Sequence, residues 1–270
     1  VPGGRAAGLR LRLTVRRAGS STRGNSLTDY ELGVLSQNGE DGVLQEVLRR
    51  IGSRSRYFVE FGASRGEQAN CVLLADYYRW HGLFIESSSD DYAALESKYR
   101  GNRRVMTRHE LVTADNIQAL LRDAGVPEVF DVLSIDIDGN DFWVWRAAHS
   151  FTARVVVVEY NGNLAMDDQL VMPRDDEHRW DGSDYFGASL GAYRELAAKK
   201  GYELVHTDST GVNAFFVLRE EAAAFSALGR AVARAPNYLG RGLRLPRDPR
   251  GRAFHDLATG KLADAKRQPE

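Results

Sequence analysis

Ser134-Ile-Asp-Ile-Asp-Gly-Asn-Asp141 sets the carboxylates of Asp136, Asp138 and Asp141 at the end of an apolar run. Asp136 and Asp138 are two residues apart, so on an extended chain both point the same way. Burying two carboxylates together is costly unless a cation, a proton or a hydrogen-bond donor compensates. Glu159-Tyr-Asn161 adds a carboxylate and an amide at the end of another apolar run. Asp136, Asp138, Glu159 and Asn161 would offer oxygen ligands alone, a set suited to Mg²⁺ or another hard divalent ion. The competing reading makes Asp138 to Asp141 an Asx turn and a helix N-cap, with Asp136 bonded to substrate or backbone. The sequence leaves both open.

Two further stretches suggest a nucleoside site. Glu60-Phe-Gly62-Ala-Ser64-Arg-Gly66 ends one apolar run in small residues, which let a chain turn tightly and approach a ligand. Its spacing is not G-x-G-x-x-G, so a dinucleotide pyrophosphate site is poorly supported. Glu86 closes the next apolar run about 20 residues on, where a carboxylate can accept from both hydroxyls of a ribose. A simple strand-to-helix turn and a solvated or capping acid are the plainer alternatives.

Short apolar segments alternating with helical spacing position these groups. Strands are expected at 57–62, 82–86, 105–112, 131–136 and 154–159. Helices are expected at 67–80, 90–99, 117–124, 142–148 and 189–200, with closing strands at 202–206 and 213–218 across a Ser-Thr-Gly turn. Strands separated by helices of this length indicate βαβ units and a parallel sheet covered on both faces. The expected fold is therefore α/β, a Rossmann-like doubly wound sheet, mostly parallel, with an antiparallel terminal hairpin. Its ligand crevice belongs at the carboxyl ends of the strands, near the switch in strand order.

Ser36-Gln-Asn-Gly-Glu-Asp41, Val59-Glu-Phe-Gly62 with Asn70, Ile135 to Trp143, Val158-Glu-Tyr-Asn161, Tyr185-Phe-Gly-Ala-Ser189 and Asn213-Ala-Phe-Phe216 occur in that order. Together they resemble class I S-adenosylmethionine-dependent methyltransferases of the FkbM-like group, over about Ser36 to Arg219. The resemblance implies an antiparallel seventh strand and S-adenosylmethionine held against the first two strands. Glu60, Gly62 and Ser64 would line its methionine side and Glu86 its ribose, with Asp136 also among the cofactor-binding residues. It departs from the common pattern where Ser64 replaces a glycine, and where the fourth strand reads Ile-Asp-Ile-Asp-Gly rather than Ile-Asp-Val-Glu-Gly.

The sulfonium is already a strong methyl donor, so such a protein must align an acceptor and remove its proton if it is a hydroxyl. Asp136, His109, His178 and His206 are candidate bases. His178 lies in the polar stretch between the fifth strand and the following helix, so Asp136 and His178 are the catalytic pair expected. Trp180, Tyr185 and Phe186 could stack on an acceptor or anchor the loop. The expected function is methyl transfer to oxygen of a small saccharide-like or glycosylated acceptor. A non-catalytic nucleoside-binding module and a nucleic-acid methyltransferase are the alternatives.

Of 270 residues, 36 Lys and Arg against 37 Asp and Glu give a net charge of −1. That balance weighs against a surface built to blanket nucleic acid or an anionic membrane. One cysteine, Cys71, excludes an internal disulfide framework and a cysteine-rich zinc module. The longest aliphatic run, Val155 to Val158, is too short to cross a bilayer, and no apolar signal segment follows the N-terminal arginines. A cytoplasmic protein is expected. Residues 1–35 read as a basic arm, 36–220 as the methyltransferase-like domain and 221–270 as a helical or wrapping tail.

Overall fold

Alternate residues of the apolar strands face two separate layers of helices. A computed structural model describes residues 26–228 and 245–265. The parallel strands are β1 (Tyr57–Phe61), β2 (His81–Glu86), β3 (Val105–His109), β4 (Val129–Ile135) and β5 (Thr152–Glu159). With β7 (Tyr202–Thr207) and β8 (Asn213–Leu218) they form one sheet in the order β3-β2-β1-β4-β5-β8-β7. β8 is antiparallel to both β5 and β7. The fold is the doubly wound Rossmann-like sheet with an antiparallel closing hairpin.

Val155 and Val157 of β5 pack with α1 (Glu40–Ile51), α2 (Val72–Asp76) and α3 (Ser89–Tyr99) on one face. Val156 and Val158 pack with α4 (Ile117–Asp123), α5 (Asp141–Ala147) and α6 (Leu190–Lys200) on the other. All four valines are fully buried, each contributing about 1.5–3 kcal/mol of transfer free energy. An unbroken apolar run is what a strand covered on both faces requires.

At the amino ends of the strands lies a buried ion network. Arg154, 1% exposed, reaches Asp131 (2.8 Å) and Glu221 (2.5 Å), and its remaining donors meet the carbonyls of Ile51 and Gly52. Asp131 also accepts from the backbone of Arg54 and Arg56. This network ties down the edge of the sheet opposite the crevice.

Several elements differ from expectation. The helix expected over 67–80 is reduced to α2, because Glu60 accepts from the backbone of Asn70 (2.7 Å) and Cys71 (2.8 Å) and holds 62–70 as a loop. Gly39 caps the start of α1 at φ 105°, while Asp41 gathers the N–H groups of Val34, Leu35 and Ser36 on one oxygen. The polar stretch 162–187 carries β6 (Leu170–Val171), which pairs with β9 (Phe254–Asp256), itself paired with β10 (Lys261–Ala263). Part of the stretch expected as a tail is thus a three-stranded sheet over this loop. The basic arm up to residue 25, residues 229–244 and residues 266–270 lie outside the described residues. No described helix is long and apolar enough to cross a membrane.

Candidate functional site

The strand order reverses between β1 and β4, and there the carboxyl ends of the parallel strands open into a cavity of about 830 Å³. Such switch points are where open α/β sheets bind ligands. The cavity lining carries Glu40, Glu60, Glu67, Glu86, Asp91, Glu110, Asp136, Asp138, Glu159 and Asp176, against Arg65 and Arg179. Arg65 faces Asp91 at 3.6 Å, and Arg179 donates to the carbonyl of His178. The wall is strongly acidic.

Gly62 leaves β1 at φ +74°, and a Cβ there would lie 1.6 Å from the backbone oxygen of Asp136. Its missing side chain therefore admits the neighbouring strand end, while the residue also lines the cavity. Ser64, at φ +47°, donates its N–H to Glu86 (2.7 Å), and the other Glu86 oxygen accepts from Ser88 (2.7 Å). Glu86 is thereby fixed at the cavity edge between the loop after β1 and the start of α3.

Glu60 is 2% exposed and spends its oxygens on Asn70, Cys71 and the Ser134 hydroxyl. Burial pushes its pKa up to about 7 against these bonds. It shapes the loop after β1 as much as it lines the cavity.

The strand conformation of β4 stops at Ile135, and the chain then turns sharply, with Asp138 at φ +56°. Asp141, fully buried, accepts from the N–H groups of Ile137 (2.8 Å) and Gly139 (2.9 Å) and so holds this turn. The Asx-type reading holds for Asp141. It does not hold for Asp136 and Asp138, whose carboxylates converge with that of Glu159, one oxygen from each lying within 4.8 Å of the others. Burial, then mutual repulsion, drives Asp136 and Glu159 well above the ordinary carboxylate range; Asp138, whose side chain reaches solvent at the cavity mouth, is raised by the crowding of the surrounding wall and by Glu86. Asn161 is not part of this group. Its amide donates to the carbonyls of Asp184 (2.8 Å) and Phe186 (2.9 Å), and its oxygen accepts from Asn163.

His178 lines the same end of the cavity, its ring lying on Gly139, where a Cβ would stand 2.6 Å from the ring carbon Cδ2. Its Nε2 is buried and unpartnered. Burial, then the nearby Arg252 guanidinium, lowers its pKa, which keeps the ring neutral at pH 7. The other histidines stay away from the cavity. His109 stacks on Tyr92 at 4.9 Å, and the buried His206 meets Glu31 at 3.0 Å. Trp180 and Phe186 form the apolar side of the wall, whereas Tyr185 packs under Arg252 (4.1 Å) and against Phe254. Of the three aromatics, Tyr185 is the loop anchor.

Two contributors were not singled out in the sequence. Glu40, fully buried at the start of α1, accepts from the side chain of Asn213 (2.8 Å) at the start of β8, and both line the cavity. Arg252 holds the loop bearing His178 through Asp181 (2.5 Å), and is itself set by Asp248 of its own segment (3.0 Å). The first was legible as an acid in the Ser36–Asp41 stretch; the second carried no local signal.

No family model matches the chain, and no curated protein matches it. Among solved structures, the chain is similar to the N-terminal domain of EvdMO1 with SAH bound, at 14% identity over 68% of this chain and 80% of that one, with a TM-score of 0.43. It is similar to the CMeT domain of the citrinin polyketide synthase, at 13% identity over 66% of this chain and 50% of that one, with a TM-score of 0.43. It is also similar to Aeropyrum pernix fibrillarin in complex with natively bound S-adenosyl-L-methionine, at 14% identity over 61% of this chain and 67% of that one, with a TM-score of 0.40.

Proposed function

We propose that this chain is an S-adenosylmethionine-dependent methyltransferase acting on an oxygen of a small saccharide-like or glycosylated acceptor. The observation that carries the reading is the cavity at the switch point, with Glu86 fixed at the end of β2 and an acidic wall around it. S-adenosylmethionine bears a sulfonium, an ammonium and one carboxylate, a net positive charge that such a wall attracts. Each Glu86 oxygen accepts one backbone hydrogen bond and keeps a lone pair for a ribose hydroxyl. Gln37 and Asn38, from the loop before α1, offer side-chain amides to the donor's carboxylate. Gly62 and Ser64 line the surface between them. The same wall repels phosphate, which weighs against nucleic acid as the acceptor.

When bound, the donor supplies an electrophilic methyl group. The chain's own residues then have three tasks: to hold the acceptor in line, to exclude water and to take the hydroxyl proton. His178, whose ring burial keeps neutral, and the carboxylate form of Asp136 line the cavity together and are the groups placed to take that proton. Trp180 and Phe186 present ring surface to the apolar face of a sugar. Residues 36–220 carry this chemistry, and the paired strands of 254–263 support its acceptor side.

Methyl-labelled S-adenosylmethionine, incubated with the protein and a panel of monosaccharides and glycosides, tests the reading. Label should pass to a hydroxyl of at least one class of acceptor, and Asp136→Asn should suppress the transfer. Donor binding without transfer to any member of the panel would instead support a non-catalytic nucleoside-binding module.

A further inference from the structure

We propose that Asp136, Asp138 and Glu159 hold one hard divalent cation at the acceptor end of the cavity. The proposal deepens the methyl-transfer reading, but the site stands on geometry that does not need the methyl donor.

The contrast among the carboxylates of this fold carries the inference. Asp41 receives three backbone N–H groups, Glu60 two and a hydroxyl, Asp141 two, and Asp131 two together with a guanidinium. Asp208 is supplied by Thr210, Val212 and Asn213. At these positions the fold meets the cost of burying a carboxylate with donors aimed at it. Asp136 and Glu159, both partly buried, and the exposed Asp138 receive no such donor among the described residues, although one oxygen of each lies within 4.8 Å of the others. Glu159 Oε2 is sealed from solvent with no hydrogen-bond partner; Asp41 and Glu221 also carry one such oxygen, but their other oxygen accepts, whereas neither oxygen of Glu159 does among the described residues. The cavity's two guanidinium groups are engaged elsewhere, Arg65 with Asp91 and Arg179 with the carbonyl of His178.

The chemistry selects the ion. Three carboxylates and no nitrogen or sulfur favour Mg²⁺ or Mn²⁺ over softer metals. One oxygen from each residue fills half of an octahedral shell, and the open cavity leaves room for water or acceptor oxygens in the remainder. Asp141 has a positioning role: by holding the N–H groups of Ile137 and Gly139, it fixes the turn that swings Asp138 toward the other two. Asn161, committed to its own loop, contributes nothing to the shell.

The test uses Mn²⁺ alone, added to the chelator-treated full chain without any methyl donor and followed by the paramagnetic resonance of free Mn²⁺. One Mn²⁺ per chain should bind at micromolar concentrations, and Mg²⁺ should displace it. Asp138→Asn, whose parent side chain is exposed and makes no packing contact in the core, should weaken binding at least about ten-fold. Its unfolding temperature without metal should not fall below that of the parent. Glu159→Gln should weaken binding comparably. Absence of binding at millimolar Mn²⁺, or affinities unchanged in both variants, would overturn the site. Because no donor is present, that failure would leave the methyl-transfer reading standing, and failure of donor binding would leave the metal result standing.

Discussion

Replacing Gly62 by alanine separates two costs that the structure makes unequal. The first is conformational. Gly62 sits at φ +74°, and a Cβ in the left-handed region costs about 1–2 kcal/mol. Gly101→Ala carries that cost alone, since Gly101 lies at φ +81° with no atom within 4 Å of the added Cβ. The second cost is steric and belongs to Gly62. Its Cβ would lie 1.6 Å from the backbone oxygen of Asp136, where an ordinary carbon–oxygen contact needs roughly 3.3 Å. The end of β4 must retreat, straining the Asp136 N–H bond to the Phe61 carbonyl (3.2 Å). That adds about 1 kcal/mol for the weakened bond and about 1–3 kcal/mol for overpacking. Gly62→Ala should therefore lose about 3–6 kcal/mol, at least about 2 more than Gly101→Ala, measured by urea unfolding at pH 7. If the two variants unfolded within about 1 kcal/mol of each other, the close approach of β1 and β4 described above would be wrong.

Arg154→Met should cost about 3–5 kcal/mol, because it leaves Asp131 buried without its cation and Glu221 with only the exposed Arg54 at 3.0 Å. The same variant, assayed while folded, should bind S-adenosylmethionine as the parent does, since the network lies at the opposite ends of the strands. Stability should also depend on pH in metal-free buffer. Burial raises both Glu60 and Asp208 to about 7, so between their unfolded values and neutrality the native state holds more protons than the unfolded chain. The unfolding free energy should therefore be highest near pH 4.5 and fall as pH rises through 7, by on the order of 3 kcal/mol for Glu60 alone. Urea unfolding at pH 5 and pH 8 reads this, and a rise in stability over that interval would contradict it. Arg252→Met should expose the loop at 173–183 to proteolysis, because it removes the clamp on Asp181 and Asp248 and the cover over Tyr185. Unchanged cleavage would show that the loop holds itself.

The sheet was legible because its signal is local and repeated. Val155 to Val158, Asp131 to Ile135 and the alternation of apolar runs with helical segments each follow from burial on two faces. The acidic ends of β2, β4 and β5 were legible for the same reason: once the strands are placed, their last residues must meet at one edge. What escaped depends on partners distant in sequence. The shortening of α2 is decided by Glu60 reaching forward to Asn70 and Cys71, a competition that helix periodicity does not register. Asn161 read as a ligand by its position, yet two carbonyls more than twenty residues on claim its amide. The pairing of β6 with β9 spans over eighty residues and only two rungs, too little to leave a pattern in either segment.

Calorimetric titration of S-adenosylmethionine into the folded parent chain and into Glu86→Gln tests the central claim most directly. The amide of glutamine can accept at one end only, so one charged hydrogen bond to the ribose is lost and a second is weakened. The parent should bind one donor per chain, and Glu86→Gln should bind it about 10- to 100-fold more weakly, corresponding to about 1.5–3 kcal/mol. No binding by the folded parent, or equal affinity in the variant, would contradict the assignment of this cavity to the methyl donor.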